Sequence, residues 1–309
     1  LAARDTKTTF VVGLPLEIGG RLYNCAAVVH DHVVFILAKT NIPGDGGFCE
    51  RRWFSGGKTI MSYSEVPGLE AENFLIPHDQ VIDCGGFMLG VEICEDLWVP
   101  NPPSGALAMR GATVIANLSA SNALAGKHTA RREAIKAHSA RCMCGYVYAS
   151  AGYGESTTDM VFSGHAGVYE NGDLLAENAR FQRESSYTIA DIDVERLSYK
   201  RRMRPSFWQD DAQEEHAPMY LANASFSAAP LMRPLPTLPF LPSGANQEEF
   251  LLDALNIQAQ GLIRRMEQIR TKKLVVGVSG GLDSTLALLS AAYAYDLAGW
   301  DKQGIVGIT

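Results

Sequence analysis

The sequence predicts an α/β protein in two parts: a two-layer sheet core flanked by helices, then the opening of a doubly wound sheet. Three observations predict this. Short apolar and β-branched runs recur from Thr9 to Ala176, with helix-like segments set between pairs of them. A proline-dense stretch, Pro230, Pro234, Pro236, Pro239 and Pro242, then breaks the pattern. After it come an amphipathic helix, a strand, a glycine-rich turn, a helix and a last strand.

Thr9–Leu14 reads as a strand, and Gly19-Gly20 turns the chain into a second over Leu22–Val29. Val33–Ala38 is a third, ending at Lys39. Pro43 to Gly47 is a loop by its glycines, and Cys49 to Phe54 follows it. The apolar run Phe74–Pro77 precedes a strand over Phe87–Ile93, introduced by Gly85-Gly86. Gly105–Gly111 reads as part of a helix, and Thr113–Leu118 as a strand ending in Ser119-Ala-Ser-Asn122. His128–Arg141 reads as a helix whose apolar face is Ala134, Ile135, Ala137 and Ala140. Tyr146–Ala151 is a strand, and Met160–Glu170 with Leu174–Ala176 makes a hairpin around Asn171-Gly172.

The character changes near Ser198, where Lys200, Arg201, Arg202 and Arg204 precede an acidic patch and the prolines. Glu248–Ile269 is an amphipathic helix carrying Leu251, Leu252, Leu255, Ile257, Leu262, Ile263 and Met266. A buried strand, Leu274–Val278, leads through Ser279–Ser284 into a helix from Thr285 to about Leu297, then a strand over Gly304–Thr309. The expected division is a first domain over 1–196, an interdomain arm over 197–243, and the start of a second domain over 244–309.

Composition narrows the function classes. The 309 residues are 47% hydrophobic and 20% charged, ordinary for a soluble globular protein. A net charge of −7 offers no basic field for nucleic acid or an anionic membrane surface. No apolar run approaches the roughly 18 residues that span a bilayer. The six cysteines form no C-x-x-C pair and read as reduced thiols of a cytoplasmic protein. No signal peptide is visible. The chain starts at Leu1 without methionine and ends at Thr309 on a strand, so it reads as a middle piece of a longer enzyme.

Cys94 is the candidate nucleophile. It ends a buried strand where the chain turns outward, so geometry is fixed by the strand while the sulfur stays accessible. Free cysteine is more often simply packed, and what raises Cys94 above that is its company. Lys39 also closes an apolar strand, and a buried ammonium beside a thiolate stabilises it and can hold an oxyanion.

Ser279-Gly-Gly-Leu-Asp-Ser284 sits between a strand and a helix start, where free N–H groups and the helix dipole favour an anion. It lacks the lysine of a Walker loop. Asp283 would repel phosphate unless a divalent cation bridges them, so the loop implies Mg²⁺ with a nucleotide. It resembles the pyrophosphatase loop of the adenine-nucleotide α-hydrolase superfamily, which cleaves ATP to AMP and pyrophosphate to activate a carboxylate.

Lys39-Thr-Asn-Ile-Pro43, Phe48-Cys-Glu-Arg-Arg-Trp-Phe54 and Gly90-Val-Glu-Ile-Cys-Glu-Asp96 resemble the nitrilase superfamily, which hydrolyses amides through a Glu–Lys–Cys constellation and a thioester. The two resemblances in this order are similar to the glutamine-dependent NAD⁺ synthetase family. Leu22-Tyr-Asn-Cys25, Asn117-Leu-Ser-Ala-Ser121, Tyr148 to Asp159, Pro239-Phe-Leu-Pro-Ser243 and Leu255-Asn-Ile-Gln258 carry the same likeness over essentially the whole chain. It implies a nitrilase-like α-β-β-α sandwich joined to a Rossmann-like synthetase domain. By position, Cys94 matches the nucleophile, Lys39 the catalytic lysine and Glu50 a supporting carboxylate; the alternative for Glu50 is an ion pair with Arg51 or Arg52. Ser121, Lys127 and Glu95 match glutamine-binding positions. Gly277, Val278, Ser279, Gly280, Gly281, Leu282, Asp283 and Ser284 match the ATP loop, with Asp283 toward the metal. The implied substrates are glutamine, ATP and deamido-NAD⁺, with ammonia passing from the thiol site to adenylated deamido-NAD⁺, in a homo-oligomer.

Two departures stand out. Six residues after Lys39 the family usually has a tyrosine that touches glutamine; here it is Asp45. The family's general-base glutamate falls upstream of Leu1, and Glu17, in Leu-Pro-Leu-Glu-Ile, does not match its setting. A free-standing nitrilase-type amidase is the alternative function, and a non-enzymatic fragment serving assembly is the third.

Overall fold

A computed structural model describes residues 8–30, 33–44, 48–60, 64–65, 73–155, 159–208, 218–221, 230–235, 237–241, 244 and 246–309. Asp45, Ser156 to Thr158, the acidic patch after Trp208, Pro236, Pro242 and Ser243 lie outside them. The chain divides into two compact units, Leu1–Pro234 and Leu235–Thr309.

In the first unit, β1 (Phe10–Ile18) returns antiparallel as β2 (Arg21–His30). Gly19 and Gly20 sit at φ 58° and 74°, the conformation a two-residue hairpin turn requires. Antiparallel β3 (Val33–Ala38) follows, then β4 (Ser64–Glu65) and β5 (Asn73–Leu75), giving a five-stranded sheet in the order β1-β2-β3-β5-β4. The second sheet begins with β6 (Ile82–Asp83) and β7 (Met88–Ile93). It continues through α1 (Pro103–Met109), β8 (Val114–Ser119), α2 (Lys127–Cys142) and β9 (Gly145–Ser150). The hairpin β10 (Ala166–Glu170) and β11 (Asp173–Glu177), α3 (Val194–Arg202) and β12 (Met219–Tyr220) complete it. Its order is β11-β10-β9-β8-β7-β6-β12, with β7, β8 and β9 parallel.

Period-two alternation sorts the side chains into layers. Ala26, Val28, Phe35 and Leu37 of one sheet share a buried cluster with Leu89, Val91, Ile93 and Val114 of the other. Cys25, Ala27, Val29 and Ile36 point to the opposite face, with Phe10, Val12 and Leu14. Leu107, Ala108 and Ile135 from α1 and α2 pack with Ile115 and Tyr146 on the far side of the seven-stranded sheet. Helix, sheet and sheet therefore stack in layers, and the central strands of the seven-stranded sheet, covered on both faces, are mainly apolar, with Glu92 and Asn117 as buried exceptions.

The buried face of α2 differs from the alanine face read from sequence. It is Arg131, Ile135, His138, Ser139 and Cys142, while Ala137 and Ala140 are exposed. The sheet beneath is polar at this point, which explains the difference. Buried Glu92 accepts from the Tyr146 hydroxyl, Asn117 Nδ2 (3.2 Å) and the Ser104 N–H (3.2 Å), and Ser104 Oγ lies 2.7 Å from His138 Nε2. A helix over such a surface must bring hydrogen-bonding groups to it.

Burial lowers the His138 imidazole from 6.5 to about 4 and lowers His165 as well. Below pH 6.5 the unfolded chain takes up protons that the folded chain refuses, so stability is lost as pH falls from 6.5 toward 4. For His138 the loss should reach about 3 kcal/mol. Thermal midpoints should fall across this window, with a shallower slope in His138→Gln; an equal slope would remove His138 from the account.

The second unit contains α4 (Gln247–Gln268), β13 (Leu274–Gly277), α5 (Leu282–Ala298) and β14 (Ile305–Ile308), with β13 and β14 parallel across the α5 crossover. Only Ala259, Ile263 and Met266 of α4 are buried; Leu251, Leu252 and Ile257 are exposed. Tyr293 donates to Asn256 (2.9 Å) and Ser290 to Gln258 (2.8 Å), so the Leu255-Asn-Ile-Gln258 stretch docks α5 onto α4.

Candidate active site

β7 ends at Ile93, and the chain leaves the sheet through a left-handed turn at Cys94, φ 49°. That conformation costs a non-glycine residue about 1–2 kcal/mol and persists only where neighbours hold it. A short 3₁₀ turn, Cys94–Leu97, follows. Asp96, 1% exposed, is what holds it. Its carboxylate accepts from the Ile93 N–H (3.0 Å) and from both the backbone N–H and Nδ2 of Asn41 (2.8 Å each). Burial raises the Asp96 carboxyl above its usual range, opposed by these N–H donors.

One carboxylate therefore ties the Cys94 turn to the loop leaving β3. Asp96→Asn keeps the shape but aims an amide donor at N–H groups. We expect a loss of about 1–3 kcal/mol in urea unfolding and slower alkylation of Cys94. Parent-like values for both would contradict a positioning role.

Lys39 closes β3 and is 2% exposed. Its Nζ lies 2.5 Å from Glu50 Oε2, and Asn24 Nδ2 donates to Glu50 Oε1 at 2.6 Å. Asn24 also accepts the Lys39 N–H through its carbonyl (2.8 Å), while the Lys39 carbonyl accepts from Gly57 (2.7 Å). A Cβ on Gly57 would stand 2.5 Å from the Ala38 carbonyl oxygen, so only glycine lets this backing segment approach. Glu50 thus pairs with Lys39. Arg51 instead donates to the Ile42 carbonyl (3.0 Å), and the Arg52 guanidinium lies over the Trp53 ring.

A cavity of about 280 Å³ opens at the thiol, lined by Glu50, Cys94, Glu95, Trp98, Ser121 and Lys127, among others. A second, of about 330 Å³, reaches Cys94 from the side of Asn24, Cys25 and Ser150. Lys127, first residue of α2, donates to Asn122 Oδ1 at 2.6 Å. Burial and the Arg131 guanidinium lower its ammonium from the ordinary value, while Cys94 and Glu95 act the other way. Five of the six sequence-predicted thiol-site residues thus line one cavity, and Lys39 is bonded to one of them. Exposed Glu17 pairs with Leu22 across the first hairpin and does not line it.

The four buried cysteines are chemically quieter. Burial pushes Cys25 and Cys84 up to about 12, Cys142 up to about 11, and Cys144 higher still. Only Cys49 and Cys94 are accessible. All six are free thiols.

Among the described residues, His128, His165 and Glu177 form a group with ligand-like spacing. Arg131 Nη1 faces His165 Nδ1 at 3.3 Å, which leaves His165 Nε2 to carry its proton to Glu177, 2.8 Å away. Arg132 also lies 3.5 Å from Glu177. These charges suit a proton between His165 and Glu177 better than a cation.

In the second unit, Gly280 takes φ 83° and the loop folds on its own hydroxyls. Ser284 Oγ accepts from the Ser279 N–H (3.2 Å) and donates to the Gly281 carbonyl (3.0 Å). Asp283 lies in the first turn of α5.

Asp96, Asn24 and Asn122 were not assigned roles from sequence. Asn24 and Asp96 lie inside stretches that carry the family likeness, but their partners are 26 and 55 residues away.

A family model described as carbon-nitrogen hydrolase matches residues 1–202. A glutamine-dependent NAD(+) synthetase of Mycobacterium tuberculosis is 38% identical over 98% of this chain and 46% of its own length. That of Mycobacterium leprae is 37% identical over 100% and 47%. The chain spans about half the length of these curated relatives. Among solved structures, a glutamine-dependent NAD(+) synthetase from Cytophaga hutchinsonii superposes with TM-score 0.54 at 24% identity, covering 95% of this chain and 39% of that one. Saccharomyces cerevisiae Nit3, of the nitrilase superfamily, gives 0.50 at 17% identity over 70% and 69%. Both likenesses are of fold.

Proposed function

The chain belongs to the carbon-nitrogen hydrolase family, and on that premise we propose that its first unit is the glutaminase of a glutamine-dependent NAD⁺ synthetase. The observation that carries this reading is the Cys94 turn opening into a cavity with Glu50, bonded to buried Lys39, and with Lys127. Cys94 Sγ attacks the side-chain carboxamide of glutamine, its proton going to the departing nitrogen. The C–N bond breaks, ammonia leaves and a thioester remains, which water hydrolyses to glutamate. Lys39 steadies the oxyanion. Both Glu50 oxygens are engaged, which suits holding Lys39 rather than accepting a proton. Lys127, Ser121 and Glu95 offer charge and hydrogen bonds for the amino-acid end of glutamine.

In the second unit, Ser279 to Ser284 at the start of α5 suits the phosphates of ATP. Asp283 is a single carboxylate beside hydroxyls, which fits Mg²⁺, an ion that keeps several waters and takes phosphate oxygens. Bound there, the ion would neutralise phosphate charge. Ammonia then amidates adenylated deamido-NAD⁺, ATP giving AMP and pyrophosphate. No described helix is long and apolar enough to cross a membrane; we place the enzyme in the cytoplasm, as a homo-oligomer. The division 1–196, 197–243 and 244–309 remains our functional partition, although buried Leu197 and Arg201 pack into the first unit.

The test compares glutamine with propionamide, and ATP plus deamido-NAD⁺ with neither, in the full-length enzyme. Glutamate release coupled to NAD⁺ formation supports the proposal. Ready turnover of propionamide without NAD⁺ formation would favour a free-standing amidase.

A further inference from the structure

A cavity of about 670 Å³ lies within the first unit, apart from the thiol, and the proposed reaction leaves it unused. Its size is that of a small-molecule site. Three permanent cations line it, Lys58, Arg141 and Arg204, together with His78. No carboxylate among the described residues lines it, although the protein carries a net charge of −7.

The carboxylates nearest His78 are already committed. Asp79 is paired with Arg110 at 2.6 Å, and Asp96 is occupied by the N–H groups of Ile93 and Asn41. His78 Nδ1 is buried and has no hydrogen-bond partner among the described residues. Behind the wall lies a further cation. Arg201, 2% exposed, spends its guanidinium on backbone carbonyls, including Ala112 (2.7 Å) and Cys142 (2.9 Å), with no carboxylate among those partners. A cleft whose charges are of one sign concentrates counter-ions. Pro102, Pro103, Met109 and Phe207 supply an apolar wall beside the cations.

We propose that this cavity binds a small phosphate ester with a planar or apolar body, the phosphate on Lys58, Arg141 and Arg204 and the body against Phe207 and the prolines. The site has a route to the thiol. Thr40 and Asn41 line it too, and the Asn41 N–H is one of the donors holding Asp96 beneath Cys94. An occupant therefore bears on the loop that fixes the nucleophile's turn.

AMP is the probe, titrated calorimetrically into the full-length protein, with adenosine and inorganic phosphate as controls for body and charge. Expected are AMP binding weakened about tenfold or more by Arg141→Glu/Arg204→Glu, little binding of adenosine, and retention in Asp283→Ala, which alters the phosphate loop of the other unit. Absence of AMP binding, or binding that follows Asp283 alone, would overturn the site. Saturating AMP should also change the Cys94 alkylation rate in the parent and not in the double variant; an unchanged rate would overturn the link to the thiol. Neither readout requires glutamine turnover, so failure here and failure of the glutaminase reading are told apart.

Discussion

Cys94→Ala is expected to abolish glutamine-supported NAD⁺ formation in the full-length enzyme, by about 10³-fold or more. Ammonia-supported formation should persist, because Cys94 belongs to the first unit and the phosphate loop to the second. No described substitute for the thiol exists nearby. Cys25 is buried and pushed up to about 12, and exposed Cys49 does not line the 280 Å³ cavity. Assays with glutamine and with ammonium chloride check this. Glutamine-supported synthesis surviving the change would remove Cys94 from the mechanism.

The second large effect concerns Lys39 and Glu50. Lys39→Met removes a buried ammonium while keeping its bulk, and glutamine hydrolysis should fall about 10²–10³-fold through loss of oxyanion stabilisation. Glu50→Leu leaves Lys39 charged and buried without its partner, at a cost of about 3 kcal/mol. Changing both should recover much of that stability, since no lone charge is left, and none of the activity. Urea midpoints and kcat for the three variants test this. Stability losses that simply add would mean the pair is not energetically coupled.

Much of this arrangement was legible in the sequence because it depends on local pattern. Val33–Ala38 followed by Lys39, and Phe87–Ile93 followed by Cys94, announce two strands ending in polar residues, and the structure places strands over Val33–Ala38 and Met88–Ile93. Asn171-Gly172 announced its hairpin for an equally local reason: both residues take positive φ. What stayed hidden depends on contacts between distant segments. From sequence, Glu50 has its adjacent arginines as obvious partners; folding gives it Lys39 and Asn24 instead. Asp96 reads as one of two adjacent carboxylates, and only the approach of Asn41 reveals it as the tie beneath the thiol. The polar buried face of α2 is hidden for the same reason, because its partner Glu92 sits in an otherwise apolar strand.

The central claim is a covalent intermediate on Cys94. Mixing the full-length enzyme with glutamine, quenching in acid and mapping peptides by mass should find a glutamyl thioester on the Cys94 peptide. Its loss should restore the free thiol as glutamate appears. A glutamyl adduct on the Cys49 peptide, or glutamate released with no adduct at Cys94 at any quench time, would contradict it.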